Sequence, residues 1–182
     1  MRVTSDGDWT KRWLSLTAAH TLSVRSGRLL VTCFSHLTQF DADGNELLRV
    51  RLDGVMAMHA VESPSGTFIV SRYSPVRGLI TEVNPDGEVL RQFSGSLLLP
   101  LGLPPHIAVD SRGDVFLADK DHCRILQLDA RLMPRRVVVN KHQLNCKEPK
   151  RLCYDERSGQ LLVVSGSNTF SSIAVFDVLR RH

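Results

Sequence analysis

The sequence predicts an all-β, propeller-like array of four four-stranded antiparallel blades, either closed into a ring or left as an open arc. Three observations carry this. Gly27, Gly66, Gly113 and Gly159 each sit in a short polar turn that opens onto an apolar run (GRLLVT, GTFIVS, GDVFLA, GQLLVV), at intervals of 39, 47 and 46 residues. Each run is followed by an apolar residue and then Asp or Asn, at Phe40-Asp41, Val83-Asn84, Leu128-Asp129 and Phe176-Asp177. No window sustains a 3.6-residue apolar period, and β-branched or aromatic residues crowd the runs, so the segments are strands.

The first strand of each unit precedes its glycine: LSV at 22–24, AVE at 60–62, AVD at 108–110 and CYD at 153–155. Glycine supplies the positive φ of the hairpin that joins this strand to the apolar run. A second turn follows the Asp or Asn, and its Asp-Gly pairs at Asp43-Gly44 and Asp86-Gly87 are strong hairpin signals. A fourth strand then comes at 47–52, 89–93 and 136–139. Four antiparallel strands in about 45 residues make a propeller blade. The blades fall at about 17–54, 55–99, 104–140 and 149–178 within one domain. The last copy stops after three strands, and the run at 9–16 (WTKRWLSL) is expected to supply its outer strand.

Composition bounds the function. The 182 residues are 42% hydrophobic and 23% charged, which suits a globular core and excludes disordered or fibrous classes. The longest apolar stretch, 97–105, is broken by Pro100, Gly102 and Pro104, whereas a spanning helix needs about twenty residues. With a polar MRVTSDGDWTKR opening, a cytoplasmic protein without membrane contact is expected. Cys33, Cys123, Cys146 and Cys153 lack zinc spacing, so reduced thiols are expected, with Cys146 and Cys153 close enough to pair only in a secreted chain.

The stretch 105–129, PHIAVDSRGDVFLADKDHCRILQLD, resembles an NHL repeat through Pro105, Ala108, Val109, Asp110, Gly113, Asp119, Arg124, Ile125 and Asp129. The other copies keep the outline of that pattern. The resemblance implies a propeller like those beside RING and B-box modules in animal proteins, usually six-bladed, but no zinc module stands here and no residue could perform ubiquitin transfer. Asp119 is expected to accept from backbone amides or Arg124 and to hold the blade's loop.

Residues just before the inner strands face the mouth of a propeller's channel. Those positions hold His20, His59, His106 and Arg151. Counted from the glycines the three histidines share a register; aligned on the strands, His20, His106 and Arg151 share one and His59 shifts. They are expected to be polar mouth residues, and no metal or other cofactor is expected. The same face should carry Lys141, His142, Lys147, Lys150 and Arg151 on the loop 140–151, with Arg72 and Lys120 from inner loops, and Arg77 and His122 beside them. A basic face of this kind suits an acidic peptide or protein first and single-stranded RNA second, since only Tyr73, Tyr154 and Phe170 are near for base stacking. Arg49, Arg51, Arg91, Arg135 and Arg136 fall on outer strands, where charge blocks strand addition.

G-x-S-x-G, P-loop, H-E-x-x-H and G-x-G-x-x-G motifs are absent. A non-enzymatic binding or scaffold module is therefore the leading expectation. The alternative is a metal-dependent hydrolase or lyase using His20 and His106 with Asp110 or Glu62 as base.

Overall fold

The computed structural model describes residues 2–3, 9–11, 19–54, 56–73, 78–97, 99–103, 105–166 and 171–178. Every regular element among them is a strand, so no helix is present that is long and apolar enough to cross a membrane. The strands are β1 (Arg2–Val3), β2 (Trp9–Lys11), β3 (Ala19–Arg25), β4 (Arg28–Cys33), β5 (His36–Phe40), β6 (Glu46–Arg51), β7 (Ala57–Glu62), β8 (Phe68–Arg72), β9 (Leu79–Val83), β10 (Val89–Phe93), β11 (His106–Val109), β12 (Val115–Asp119), β13 (Arg124–Leu128), β14 (Pro134–Val139), β15 (Pro149–Asp155), β16 (Gln160–Gly166) and β17 (Ser171–Asp177).

They form three four-stranded antiparallel meanders, β3-β4-β5-β6, β7-β8-β9-β10 and β11-β12-β13-β14, and a three-stranded one, β15-β16-β17. The four-blade array expected from the glycine repeat is thus present. Of the run expected to supply the outer strand of the last blade, 9–11 pair as β2 with β1 in a two-stranded sheet, and 12–16 lie outside the described residues.

The hairpins follow the turn chemistry of the sequence. Gly27, Gly66, Gly113 and Gly159 all have positive φ, between 66 and 89°. At Asp41, Asn84, Asp110 and Asp129 the side-chain Oδ1 accepts the amides two and four residues on, so one short polar side chain shapes each loop. In three of these loops glycine takes the positive φ at the third position; in the fourth it is Leu132, at 61°. Leu132 tolerates this because its side chain is buried in the core between blades two and three.

Cores lie between blades. Phe68, Val70 and Val83 of blade two pack with Leu30, Leu37 and Val50 of blade one. Ile69 and Ile80 pack with Ile107, Leu117 and Leu126 of blade three. Phe116 and Ile125 pack with Leu152, Leu161 and Val163 of blade four. Period-two alternation makes this possible, since each central strand sends one set of side chains backward and the other forward. The inner strands touch in the order β3, β7, β11, β15, and β15 makes no comparable contact with β3 among the described residues.

Candidate functional site

The inner strands surround a cavity of about 740 Å³. Leu22 and Val24 of β3, Val61 of β7, Ala108 and Val109 of β11, and Cys153 and Tyr154 of β15 line it, with His59 and His106 on its wall and Arg25, Glu62, Ser111 and Glu156 contributing polar groups. Leu22 and Val24 are 60% and 72% exposed although they lie on an inner strand. Glu62 is already engaged: Arg28 and Gln39 of blade one both donate to its carboxylate.

The histidines stitch blades together. The Ile107 amide of blade three donates to His59 Nδ1 at 3.3 Å, and the Leu152 amide of blade four donates to His106 Nδ1 at 3.2 Å. Their rings stack with centroids 3.7 Å apart. A ring that accepts at Nδ1 carries its proton on Nε2 and is neutral. Burial, the neighbouring His106 and the Arg151 charge push His59 down to about 2, while burial and Arg151 push His106 down to about 4. Between blades one and two hydroxyls do the same work, with Thr21 Oγ1 donating to the Met58 carbonyl and Ser23 Oγ to the Ala60 carbonyl.

This corrects the strand-based register. Thr21, His59 and Arg151 each follow a bulge, at Ala19/Thr21, Ala57/His59 and Pro149/Arg151, and pair with Thr32, Ser71 and Val164 as His106 pairs with Ala118. His59 and His106 are therefore equivalent, and Arg151 takes the same position in blade four. His20 falls in the first bulge, exposed, against Phe34 with centroids 5.0 Å apart. It does not join the other two, and no three His, Cys, Asp or Glu side chains converge as a metal set among the described residues.

The basic residues divide. Arg72 is a correction: it is 3% exposed, donating from Nε to Thr81 Oγ1 and from Nη1 to the Asp53 carbonyl, so it cannot face a partner. Its place at the end of β8 turns it into the blade. Lys120 pairs with Glu148 at 3.2 Å, and Lys147 donates to Ser172 Oγ. Lys150 is half-buried at the β15 bulge. Lys141, His142 and Arg151 are exposed, Arg151 donating to the Lys150 carbonyl. Arg77 and Phe170 lie outside the described residues. Four of the five outer-strand arginines are tied down: Arg49 to Glu46, Arg91 to Glu82, Arg135 to Asp129, and Arg136 to Gln127 and the Val178 carbonyl.

The Asp119 expectation is met. Its buried carboxylate accepts from Arg124 Nε at 2.8 Å, from His122 Nδ1 at 2.9 Å and from the Gly102 amide at 3.2 Å, anchoring the segment before blade three. Arg124 also donates to the Pro100 carbonyl.

Compared with solved structures, the chain is similar to virginiamycin B lyase from Staphylococcus aureus (TM-score 0.60, 15% identity, 96% of this chain and 61% of that one). It is also similar to a luciferin-regenerating enzyme (TM-score 0.61, 14% identity, 90% and 59%) and to Kuenenia stuttgartiensis hydrazine synthase (TM-score 0.64, 12% identity, 93% and 49%). The fold is a β-propeller. At these identities the likeness shows the fold alone, and the propeller chain spans about half to three-fifths of the length of these structures. No family model matches the sequence, and no curated protein matches it.

Proposed function

We propose that this propeller is a non-enzymatic binding module of the NHL type, working in the cytoplasm, whose inner-strand cavity and basic lip hold an acidic protein segment that carries apolar side chains. The observation that carries the reading is the pair Leu22 and Val24, large apolar side chains left exposed along the wall of a built cavity. Arg151 stands close enough to depress both histidines, so its charge reaches the cavity wall. Lys141, exposed on the loop before β15, extends the positive lip. The stacked histidines spend their Nδ1 atoms on blade joining, which favours binding over hydrolysis at this wall.

The test is the affinity of a fluorescent peptide of alternating glutamate and leucine, with an RNA oligonucleotide in parallel. Val24→Asp and the double variant Lys141→Glu, Arg151→Glu should each weaken peptide binding about tenfold or more, and the second should flatten its salt dependence. Arg49→Glu with Arg51→Glu should leave it unchanged. Equal losses from the two charge reversals would show diffuse attraction and remove the assigned face, and tighter binding of RNA than of peptide would replace the partner class.

A further inference from the structure

We propose that Cys123 and Cys146 are a redox pair whose disulfide locks the basic lip of the cavity onto blade three. The regulatory sense of this rests on the binding reading above; the cross-link itself does not.

Two loops far apart in sequence lie side by side. The turn after β12 closes with the Cys123 amide donating to the Lys120 carbonyl, and the loop before β15 closes with the Cys146 amide donating to the Lys141 carbonyl at 2.7 Å. Both cysteines hold positive φ, 48° and 56°, so each is the point where its loop reverses. The Cys123 thiol is directed at the other loop, its Sγ 3.7 Å from the Cys146 carbonyl oxygen. Lys120 and Glu148 tie the same two segments 3.2 Å apart, so the approach is held by two independent contacts. The cross-link requires that rotation about the two Cα–Cβ bonds bring the sulfurs within bonding distance. The other two thiols are placed differently: Cys33 is buried in blade one, and Cys153 lies on β15 in the cavity wall.

The chemistry is an exchange with glutathione disulfide. Cys146 is exposed on a loop bearing Lys141, His142 and Lys147, and its thiolate attacks one sulfur of the oxidant, expelling a glutathione thiolate. Cys123 is kept protonated by burial and by Glu148, Asp119 and Asp121 around it, so it reacts second. It gives its proton to solvent and attacks the Cys146 sulfur, and the second glutathione leaves. Two protein thiols lose two electrons and two protons, and the oxidant becomes two glutathione thiols.

The product ties the turn 120–123 to the loop 140–148 and limits the motion of Lys141, His142 and Arg151. The full chain, equilibrated in reduced or oxidised glutathione, should give a proteolytic fragment pair joined through Cys123 and Cys146. Oxidation should slow tryptic cleavage after Lys141 and Lys147, and change affinity for the glutamate–leucine peptide about threefold or more by pre-organising the lip. Cys123→Ser and Cys146→Ser should each abolish all three effects, while Cys33→Ser should keep them. A glutathione adduct on Cys146 with no cross-link, or a bond from Cys146 to Cys153, overturns the proposal. So does a cross-link that leaves both proteolysis and peptide affinity unchanged in protein whose peptide binding is lost on Arg151→Glu. Should peptide binding be absent in both redox states, the binding reading fails, and a cross-link that still slows cleavage supports the lock.

Discussion

His59 and His106 lie stacked at 3.7 Å, each accepting through Nδ1 an amide from the following blade. Two imidazoles so close cannot both carry charge cheaply, and neither could accept once protonated at Nδ1. The junctions of blade two with three and of blade three with four therefore depend on neutral histidine.

Acid sensitivity follows with a definite sign. A histidine held below its ordinary value of 6.5 contributes its full stabilisation above that pH and loses it as pH falls toward the folded value, about 4 for His106 and about 2 for His59. At pH 5 the expected loss is about 2 kcal/mol for each ring relative to pH 7. Urea unfolding at the two pH values measures it. The double variant His59→Gln, His106→Gln, whose amides cannot titrate, should show a much smaller pH difference; an equal difference would assign the acid sensitivity to other groups.

Arg72 should matter for folding and not for partner capture. Arg72→Ala leaves the buried Thr81 hydroxyl and the Asp53 carbonyl without their guanidinium donor and is expected to cost about 1 to 3 kcal/mol, seen as a lower denaturant midpoint. Peptide affinity per folded molecule should stay constant. A loss of affinity with unchanged stability would return Arg72 to the binding face.

Leu132 and Gly113 occupy the same place in two loops, but only Leu132 should respond oppositely to what φ alone suggests. Leu132→Gly relieves about 1 kcal/mol of left-handed strain yet empties a buried leucine site costing about 2 to 5, so net destabilisation is expected. Gly113→Ala forces a side chain into φ +89° with its Cβ 3.1 Å from that of Ala130, and should cost about 1 to 2 kcal/mol. Thermal melts of the two variants decide; a stabilised Leu132→Gly would show that strain outweighs burial.

β17 presents Ile173 and Val175, 70% and 54% exposed, on a strand paired along one side only among the described residues. Ile173→Lys with Val175→Lys should reduce concentration-dependent light scattering while shifting the melting temperature little, because charge on an edge opposes strand addition. A large fall in melting temperature would mean that these side chains are packed in solution.

Much of the architecture could be read from local chemistry. Gly27, Gly66, Gly113 and Gly159 mark turns because a positive φ is a property of one residue, and Asp119 with Arg124 could be paired because they are five residues apart on one hairpin. The histidines could not be placed that way. Their register depends on the bulges at Ala19/Thr21 and Ala57/His59, which shift a strand by one residue without a glycine to announce it, and their partners lie 46 and 48 residues away. Arg72 reads as a loop cation for the same reason: that it ends a fully buried strand is set by blades one and three packing on the two faces of that strand.

The stitches all run forward, from Thr21 and Ser23 to β7, from His59 to β11, from His106 to β15, and among the described residues each blade makes its main contacts with its sequence neighbours. With contacts so arranged, cooperativity passes from blade to blade and does not spread from one centre. Amide hydrogens of β12, buried along its whole length and flanked by blades on both sides, should be the last to exchange, and those of β17 among the first. Melting then begins in the outer blades and is hastened by the protonation of a single ring.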